Sequence, residues 1–176
     1  HVAKLDSCTN ITFTRVVFKG AQPSPQVSSV NTQNAVHAIP TSALRDINNI
    51  TFVDCVFNKC INGLALNANN VKLIGCDFNQ LNRGVWAGEF AGATTKNIKI
   101  SNSTFDSIAK EGIYANAGVA GSMTGVVSVG NYYGDVGANL VVGGSVITPV
   151  INFTNSGNYS IGDSFKRTDA EHSTYP

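Results

Sequence analysis

Charge is scarce in this sequence of 176 residues. Lys, Arg, Asp and Glu together make up 13% of the chain, against about a quarter in an ordinary globular protein. The net charge is +1, and no stretch concentrates Lys or Arg. We therefore expect no phosphate-binding surface and no nucleic-acid partner. No apolar run reaches the roughly eighteen residues of a membrane-spanning helix, so no membrane insertion is expected.

Metal-ligating side chains are also few and scattered. The chain has three histidines and four cysteines, with no Cys-x-x-Cys pair. Zinc sites need ligands at short, regular spacings, so we expect no metal and no cofactor. Four cysteines would allow two disulfides in a secreted protein. Those at positions 55, 60 and 76 instead fall on apolar positions of the repeat described next, where free Cys acts as a small hydrophobe. Buried, reduced thiols are therefore expected.

The polar residues that replace charge are mostly small or amide-bearing. The chain contains 20 Asn and 17 Gly, and both residues tolerate the left-handed backbone conformation of tight turns. This composition is typical of a protein with many short strands and many turns.

Four segments of the sequence align without gaps. Each has Asn, an aliphatic residue, a polar residue, a large apolar residue, four further residues and then Phe. The four segments are Asn10–Phe18, Asn49–Phe57, Asn70–Phe78 and Asn97–Phe105. A looser fifth copy is predicted from Val127 and Val129 to Tyr133, and a sixth from Ile151 and Phe153.

Each copy continues in the same way beyond its Phe. A core aliphatic residue follows, then Gly and a second short strand, as in Leu81, Gly84 and Val85 after Phe78. Alternating polar and apolar residues over three to five positions indicate strands with one buried face. Such pieces are too short for helices.

The spacing of the repeat predicts the fold. Successive Asn positions lie 39, 21 and 27 residues apart, and the shortest spacing fits one turn of a three-sided coil with loops inserted at other corners. We expect an all-β, right-handed parallel β-helix, a single-stranded solenoid of about five to six coils. A meander or a β-sandwich could use similar strands, but neither needs the same residues at the same offsets.

The same pattern predicts how the chain is divided. Residues 1–155 would form the β-helix segment of a longer chain, because the alternation at the start looks like the middle of a coil. Residues 156–176 lose the alternation and gain charge, so they are predicted to cap the open strand edges or to lead out of the rod. The repeated Asn residues at positions 10, 49, 70 and 97 are expected to stack through their amides. Five Asn-x-Ser/Thr sequons, at positions 10, 49, 102, 152 and 158, are interpreted as products of this pattern and not as glycan acceptors.

Catalytic residues are harder to find. Asp54, Asp77, Asp106 and Asp135 are the candidate carboxylates, and they do not share one repeat position. A pair of carboxylates at the same repeat position of neighbouring coils would indicate acid and base chemistry. Such a pair is absent, and we assign no catalytic residue. A set drawn from different positions stays open. His37 is interpreted as a tolerated strand residue.

Two pairs of residues are candidates for surface binding or for an interface. Arg83 and Glu111 each precede the Gly of their repeat, so they are expected to form an exposed ion pair; the alternative is a catalytic acid beside a substrate-binding Arg. Trp86 and Tyr114 also share a repeat position and point away from the core. Outward aromatic residues suit a subunit interface, a saccharide-stacking face, or a surface covered by the loop at 87–96.

The repeated Asn-Ile-x-Phe/Ile-x-x-x-x-Phe coil with its Gly-led strand resembles the pectin-lyase-like β-helices of bacteriophage tail fibres and tailspikes. The resemblance covers roughly residues 8–155, and the ending Tyr159–Arg167 is similar to closing segments of phage virion proteins. It implies a virion tail appendage that is a homotrimer, contacts other tail proteins and meets host surface glycan. The expected function is structural or receptor-binding. The alternative is a polysaccharide depolymerase, either a lyase or a glycoside hydrolase, which the scattered carboxylates disfavour.

Overall fold

A computed structural model describes residues 1–21, 33–40, 46–88, 94–116, 122–143, 146–153 and 156–157. These residues form strands and turns, and none of them belongs to a helix long and apolar enough to cross a membrane. The strands are β1 (Ala3–Leu5), β2 (Thr9–Thr14), β3 (Val17–Lys19), β4 (Asn34–Ala38), β5 (Asn48–Val53), β6 (Val56–Asn58), β7 (Asn62–Leu66), β8 (Asn69–Ile74), β9 (Asp77–Leu81), β10 (Arg83–Ala87), β11 (Thr94–Ser101), β12 (Thr104–Asn116), β13 (Ser122–Val129), β14 (Tyr132–Tyr133), β15 (Val136–Gly143), β16 (Val146–Phe153) and β17 (Ser156–Gly157).

The strands pair in parallel with their equivalents one repeat before and one repeat after, which confirms an all-β chain with parallel sheets. One six-stranded sheet contains the first column of strands: β2, β5, β8, β11, β13 and β16. The long strand β12 joins two further columns into an eleven-stranded sheet. Its first part pairs with β9 and β14, and its second part with β10 and β15. The second column thus contains β3, β6, β9, β14 and β17, and the third contains β1, β4, β7, β10 and β15.

The register of these pairs confirms the predicted alignment of the first four repeats. Phe57 is in register with Phe18 and Phe78, and Phe78 with Phe105. The aromatic rings stack inside the molecule, with centroids 4.6 Å apart between Phe57 and Phe78 and 4.7 Å apart between Phe78 and Phe105. Tyr133 continues the stack at 5.1 Å from Phe105. This aromatic column is the centre of the apolar core.

The Gly that opens the third-column strand is required by the space that the aromatic column fills. A Cβ atom added at Gly63 would lie 2.8 Å from Cδ1 of Phe78, and one at Gly84 would lie 2.7 Å from Cδ1 of Phe105. The added atom at Gly84 would also collide with the backbone oxygen of Gly112. Each Gly therefore leaves room for the ring of the next repeat.

Left-handed backbone conformations mark the corners between columns. In each group the residues lie at equivalent positions of successive repeats, with φ between 51° and 69°. The groups are Asn10, Asn49, Asn70, Asn97 and Gly125; Arg15, Asp54, Gly75, Asn102 and Gly130; and Lys59, Gln80 and Ser107. Asn, Asp and Gly adopt this conformation more readily than other residues, which explains why Asn and Gly are abundant in the chain.

The predicted stack of Asn amides forms in part. Asn49 donates from Nδ2 to Oδ1 of Asn10 at 2.7 Å, and Asn97 donates to Asn70 at 2.9 Å. The bond between the second and third repeats differs by one residue, because Asn70 donates to Asn48 and not to Asn49. The amides of Asn10 and Asn49 are engaged in this exposed ladder, which supports a structural interpretation of those two sequons.

The fifth repeat has a different register from the predicted one. Val126 pairs with Ile98, and Ser128 with Ile100, so these two residues occupy the buried positions. Val127 and Val129, which the sequence placed in the core, are only half-buried. The prediction of this copy was wrong by one residue.

A buried hydrogen-bond network explains the shift. The aromatic column changes from Phe to Tyr at position 133, and the Tyr133 hydroxyl lies 3.2 Å from Oγ of Ser128. Asn131 donates to the same Oγ at 2.9 Å and to the backbone oxygen of Ile100. A phenol in the core needs a hydrogen-bond partner. Ser128 supplies it at the position where the earlier repeats carry a large apolar residue.

Parallel pairing continues past the predicted boundary at residue 155, because Ser156 and Gly157 pair with Tyr132 and Tyr133. The rest of the predicted closing segment, 158–176, lies outside the described residues. Two pairs near this end contain irregularities of register. The pair of β12 with β15 shifts between Ile108 and Glu111, and that of β13 with β16 shifts between Thr124 and Val126.

All four cysteines are free, as predicted. Cys55 and Cys76 occupy equivalent positions, and with Cys60 they are buried, whereas Cys8 is half-buried. Burial raises the pKa of Cys76 to about 11 and also raises the pKa of Cys60. Both effects suppress the thiolate, which is the reactive form.

We expect dithionitrobenzoate to react first with Cys8 in the native protein and with all four thiols only after unfolding in guanidinium. The absorbance of the released thionitrobenzoate measures both phases. Cys8→Ser should remove the fast phase and leave the slow one unchanged. Three or more fast thiols in the native protein would contradict the buried positions.

Candidate functional site

The four residues predicted for surface binding meet on the outer side of the third column. Trp86 is in register with Tyr114. Nε of Arg83 lies 2.6 Å from Oε2 of Glu111, so the predicted ion pair forms across neighbouring repeats. The prediction of an exposed pair was wrong, because the two side chains are only 16% and 17% exposed. Partial burial reduces the solvent screening of the attraction between the two charges, and it also removes part of their hydration.

The aromatic rings pack against the guanidinium of Arg83. Cζ of Arg83 lies 5.0 Å from the ring centroid of Trp86 and 5.0 Å from that of Tyr114. The rings are 6.3 Å apart and tilted by 58°. Each cation–π contact contributes about 0.5–1 kcal/mol at an exposed site and more where water is excluded. We call these four residues the Arg–aromatic cluster.

The cluster keeps hydrogen-bonding groups that the described chain does not use. The bond between Arg83 and Glu111 involves Nε and Oε2 only. The terminal guanidinium nitrogens and Oε1 of Glu111 make no hydrogen bond to any described residue, and they are not among the buried atoms that lack a partner. They are therefore open to solvent, as a row of donors beside an acceptor.

The cluster lies where the outer side of the third column changes from buried to partly exposed. At the equivalent positions of the preceding repeat, Ala65 pairs with Trp86 and Asn62 pairs with Arg83, and both are fully buried. The outer side is therefore covered there, and it becomes partly accessible at Trp86 and Tyr114. The predicted covering loop at 87–96 includes residues 89–93, which lie outside the described residues.

His37 occupies the same outer position two repeats before Trp86. No partner was predicted for His37, but its ring stacks on that of His1 with centroids 4.2 Å apart. Burial, followed by the nearby charge of Lys4, lowers the pKa of His37. The neutral imidazole is thus favoured.

The candidate carboxylates occupy different positions, as predicted. Asp77 is in register with Val56 and Thr104, not with another Asp. Asp106 lies two residues beyond Thr104, on the same face of the sheet, and is therefore a diagonal neighbour of Asp77. In the sequence, Asp77 and Asp106 are separated by one repeat plus two residues. A search for carboxylates at the same repeat position does not find such a pair.

The diagonal pair is electrostatically coupled. Burial, and then the negative charge of Asp106, raise the pKa of Asp77. Asp106 is held by two hydrogen bonds, from the backbone nitrogen of Asp135 at 3.0 Å and from the hydroxyl of Ser107 at 3.2 Å. A carboxyl with a raised pKa therefore lies beside another that accepts hydrogen bonds.

We expect Asp77→Asn to stabilise the protein at neutral pH. The pKa of Asp77 is higher in the folded state than in the unfolded state, so its ionised form opposes folding above the folded-state pKa. The gain should shrink as the pH falls to about 4, the ordinary Asp value, because the carboxyl is then largely protonated in both states. Urea unfolding across this range measures it. Equal stability at neutral pH, or a gain that grows on acidification, would contradict the assignment.

Among the described residues, no three His, Cys, Asp or Glu side chains converge as a metal site would require. Comparison of the chain with protein-family models, with curated proteins and with solved structures found no significant match. The candidate site therefore rests on the geometry of this chain alone.

Proposed function

We propose that the three columns wind into a right-handed parallel β-helix that serves as a rod segment of a bacteriophage tail fibre or related virion appendage. In this role the chain would form a homotrimer, join other tail proteins and contact the host surface on the outside of the virion. The observation that carries the proposal is the parallel pairing of equivalent strands in three columns around one aromatic stack.

The physical properties of such a stack suit this role. Each repeat contacts only its neighbours, so length is gained by adding repeats without enlarging the core. The low charge of the chain leaves an outer surface of amides and hydroxyl groups, which can hydrogen-bond to surface glycans. The Arg–aromatic cluster offers one concentrated contact point on that surface.

The proposal is tested by the size, shape and binding of the purified chain. Light scattering should give three times the chain mass of 18.5 kDa, and small-angle scattering should give an elongated particle. Fluorescently labelled protein should bind host bacteria and lose that binding after periodate oxidation of their surface polysaccharide. A compact monomer that binds no cells would overturn the proposal.

A second function, polysaccharide depolymerase, is favoured by the coupled Asp77 and Asp106. Asp77 and Asp106 are diagonal neighbours on one face of the sheet, and inverting glycosidases use a pair of carboxyl groups about 6.5–9.5 Å apart. Asp77 would act as the acid and Asp106 as the base. Release of reducing ends from host polysaccharide by the wild type, abolished in Asp77→Asn and retained in the matched variant Asp54→Asn, would establish this function in place of a purely binding role.

A further inference from the structure

We infer that the Arg–aromatic cluster binds an uncharged pyranose unit of a saccharide. The inference rests on the proposed function, since it names the part of the chain and the class of glycan through which contact would occur. Its four members come from two neighbouring repeats, with Arg83 and Trp86 on β10 and Glu111 and Tyr114 on β12. Stacking of the repeats therefore creates the site.

The hydrogen-bonding groups of the cluster complement those of a sugar. The terminal nitrogens of Arg83 donate only, whereas Oε1 of Glu111 accepts only. The Nε–Oε2 bond of 2.6 Å fixes these groups side by side. Two adjacent ring hydroxyls of a pyranose match them, because one hydroxyl can accept from Arg83 while its neighbour donates to Glu111. A water-exposed donor beside an acceptor thus meets the complementary pattern of a vicinal diol.

The balance of charge selects among sugars. Glu111 neutralises Arg83, so the pair presents no net positive charge to a ligand. A uronic acid would bring its carboxylate beside Glu111, and like charges at close range oppose binding. An uncharged hexopyranose meets no such repulsion. The cluster therefore favours neutral sugars over acidic ones.

The aromatic rings supply the apolar contact. Trp86 and Tyr114 are partly exposed, in contrast to the fully buried Ala65 at the same position of the preceding repeat. Both rings are held in place by the guanidinium, 5.0 Å from each centroid. A preorganised ring loses little conformational freedom when a ligand packs against it. The C–H groups of a pyranose can pack against the exposed edge of this pair.

The chain offers a built-in probe, because Trp86 is its single tryptophan. Tryptophan fluorescence therefore reports on this site alone. We would titrate the full chain with methyl glucoside, methyl galactoside and methyl mannoside, and with methyl glucuronide as the acidic comparison. At least one neutral glycoside is expected to change the fluorescence saturably and to bind more tightly than the glucuronide.

Two variants test the assigned roles. Glu111→Gln retains an acceptor but removes the negative charge, so the preference should shift at least about tenfold toward glucuronide. Tyr114→Ala should weaken the neutral sugar by about tenfold or more. Tyr132→Ala is the matched control, since Tyr132 is 48% exposed and lies in the second column. It should bind like the wild type, and circular dichroism should confirm that each variant folds.

Several results would overturn the inference. These are no saturable response to any neutral glycoside, an unchanged preference in a folded Glu111→Gln variant, or an equal loss of binding in Tyr132→Ala. A trimer that dissociates in Tyr114→Ala without any effect on sugar would identify the cluster as a subunit interface instead. In that case the proposed rod would stand while the sugar site would fall. If a monomeric, compact chain bound the sugar, the sugar site would stand while the proposed rod would fall.

Discussion

Replacing Phe78 with Ala is expected to lower the free energy of unfolding by about 3–5 kcal/mol, the loss typical of a large buried aromatic side chain. Phe78 is fully buried and lies in the middle of the aromatic column, with ring centroids 4.6 Å from Phe57 and 4.7 Å from Phe105. Removing the ring leaves a cavity and separates the column into two parts. Native proteins are stable by only about 5–15 kcal/mol, so this is a large share of the total.

Guanidinium unfolding followed by circular dichroism measures the effect. Phe78→Leu is the matched control, because Leu fills much of the volume but cannot stack. It should lose clearly less than the Ala variant. A loss below about 1 kcal/mol for Phe78→Ala, within the range of surface substitutions and small core changes, would show that the column is not the centre of the core.

Gly84→Ala is expected to destabilise the chain by about 1–3 kcal/mol or more, although it adds a single methyl group. The new Cβ would lie 2.7 Å from Cδ1 of Phe105 and would collide with the backbone oxygen of Gly112. The backbone conformation of Gly84 itself is not left-handed. The destabilisation would therefore come from overpacking and not from backbone strain.

A second substitution separates the collision of the new Cβ with the Phe105 ring from its collision with the Gly112 oxygen. Phe105→Leu, combined with Gly84→Ala, removes the ring but leaves the backbone oxygen of Gly112 in place. We expect the pair to be less destabilising than the sum of the single variants, because they share a contact. Strict additivity in thermal or guanidinium unfolding would show that the ring and the glycine do not compete for the same space.

The repeat was predictable because each column repeats the same physical requirement. Stacked rings require Phe at one position, and the space they fill requires Gly at another. Asn recurs at a corner because it adopts a left-handed backbone and can donate to the Asn of the neighbouring repeat. A single sequence contains several copies of these requirements, so their alignment gave the strand order and the register of the first four repeats.

The fifth repeat was mispredicted for an equally physical reason. Its core position is filled by Ser128, whose hydroxyl bonds Tyr133, whereas the sequence offered the apolar Val127 and Val129 on either side of it. A rule that places apolar residues in the core must fail where a buried hydrogen bond replaces apolar contact. The change from Phe to Tyr at position 133 was the signal that such a partner was needed.

The candidate site was predictable in membership but not in geometry. Shared repeat positions brought Arg83 next to Glu111, and Trp86 next to Tyr114. That Arg83 also lies against both rings depends on the conformation of its long side chain, which the sequence pattern does not specify. The coupling of Asp77 to Asp106 was missed because it runs diagonally, between repeat positions that differ by two residues.

The irregularities of register near the end of the described chain have a mechanical consequence. Hydrogen bonds between parallel strands are evenly spaced and slanted, but each of them still joins one strand to the next, so in this stack they connect every repeat to the repeat beside it. Tension along the direction in which repeats are added is carried from each repeat to the next by these hydrogen bonds. The strength of the whole stack under tension is therefore set by its weakest pairing between repeats. A register shift interrupts the pairing where β12 meets β15 and where β13 meets β16, so we expect the stack to part at these pairs. A pull on the stack would separate its last repeats first and leave the Phe-lined repeats intact.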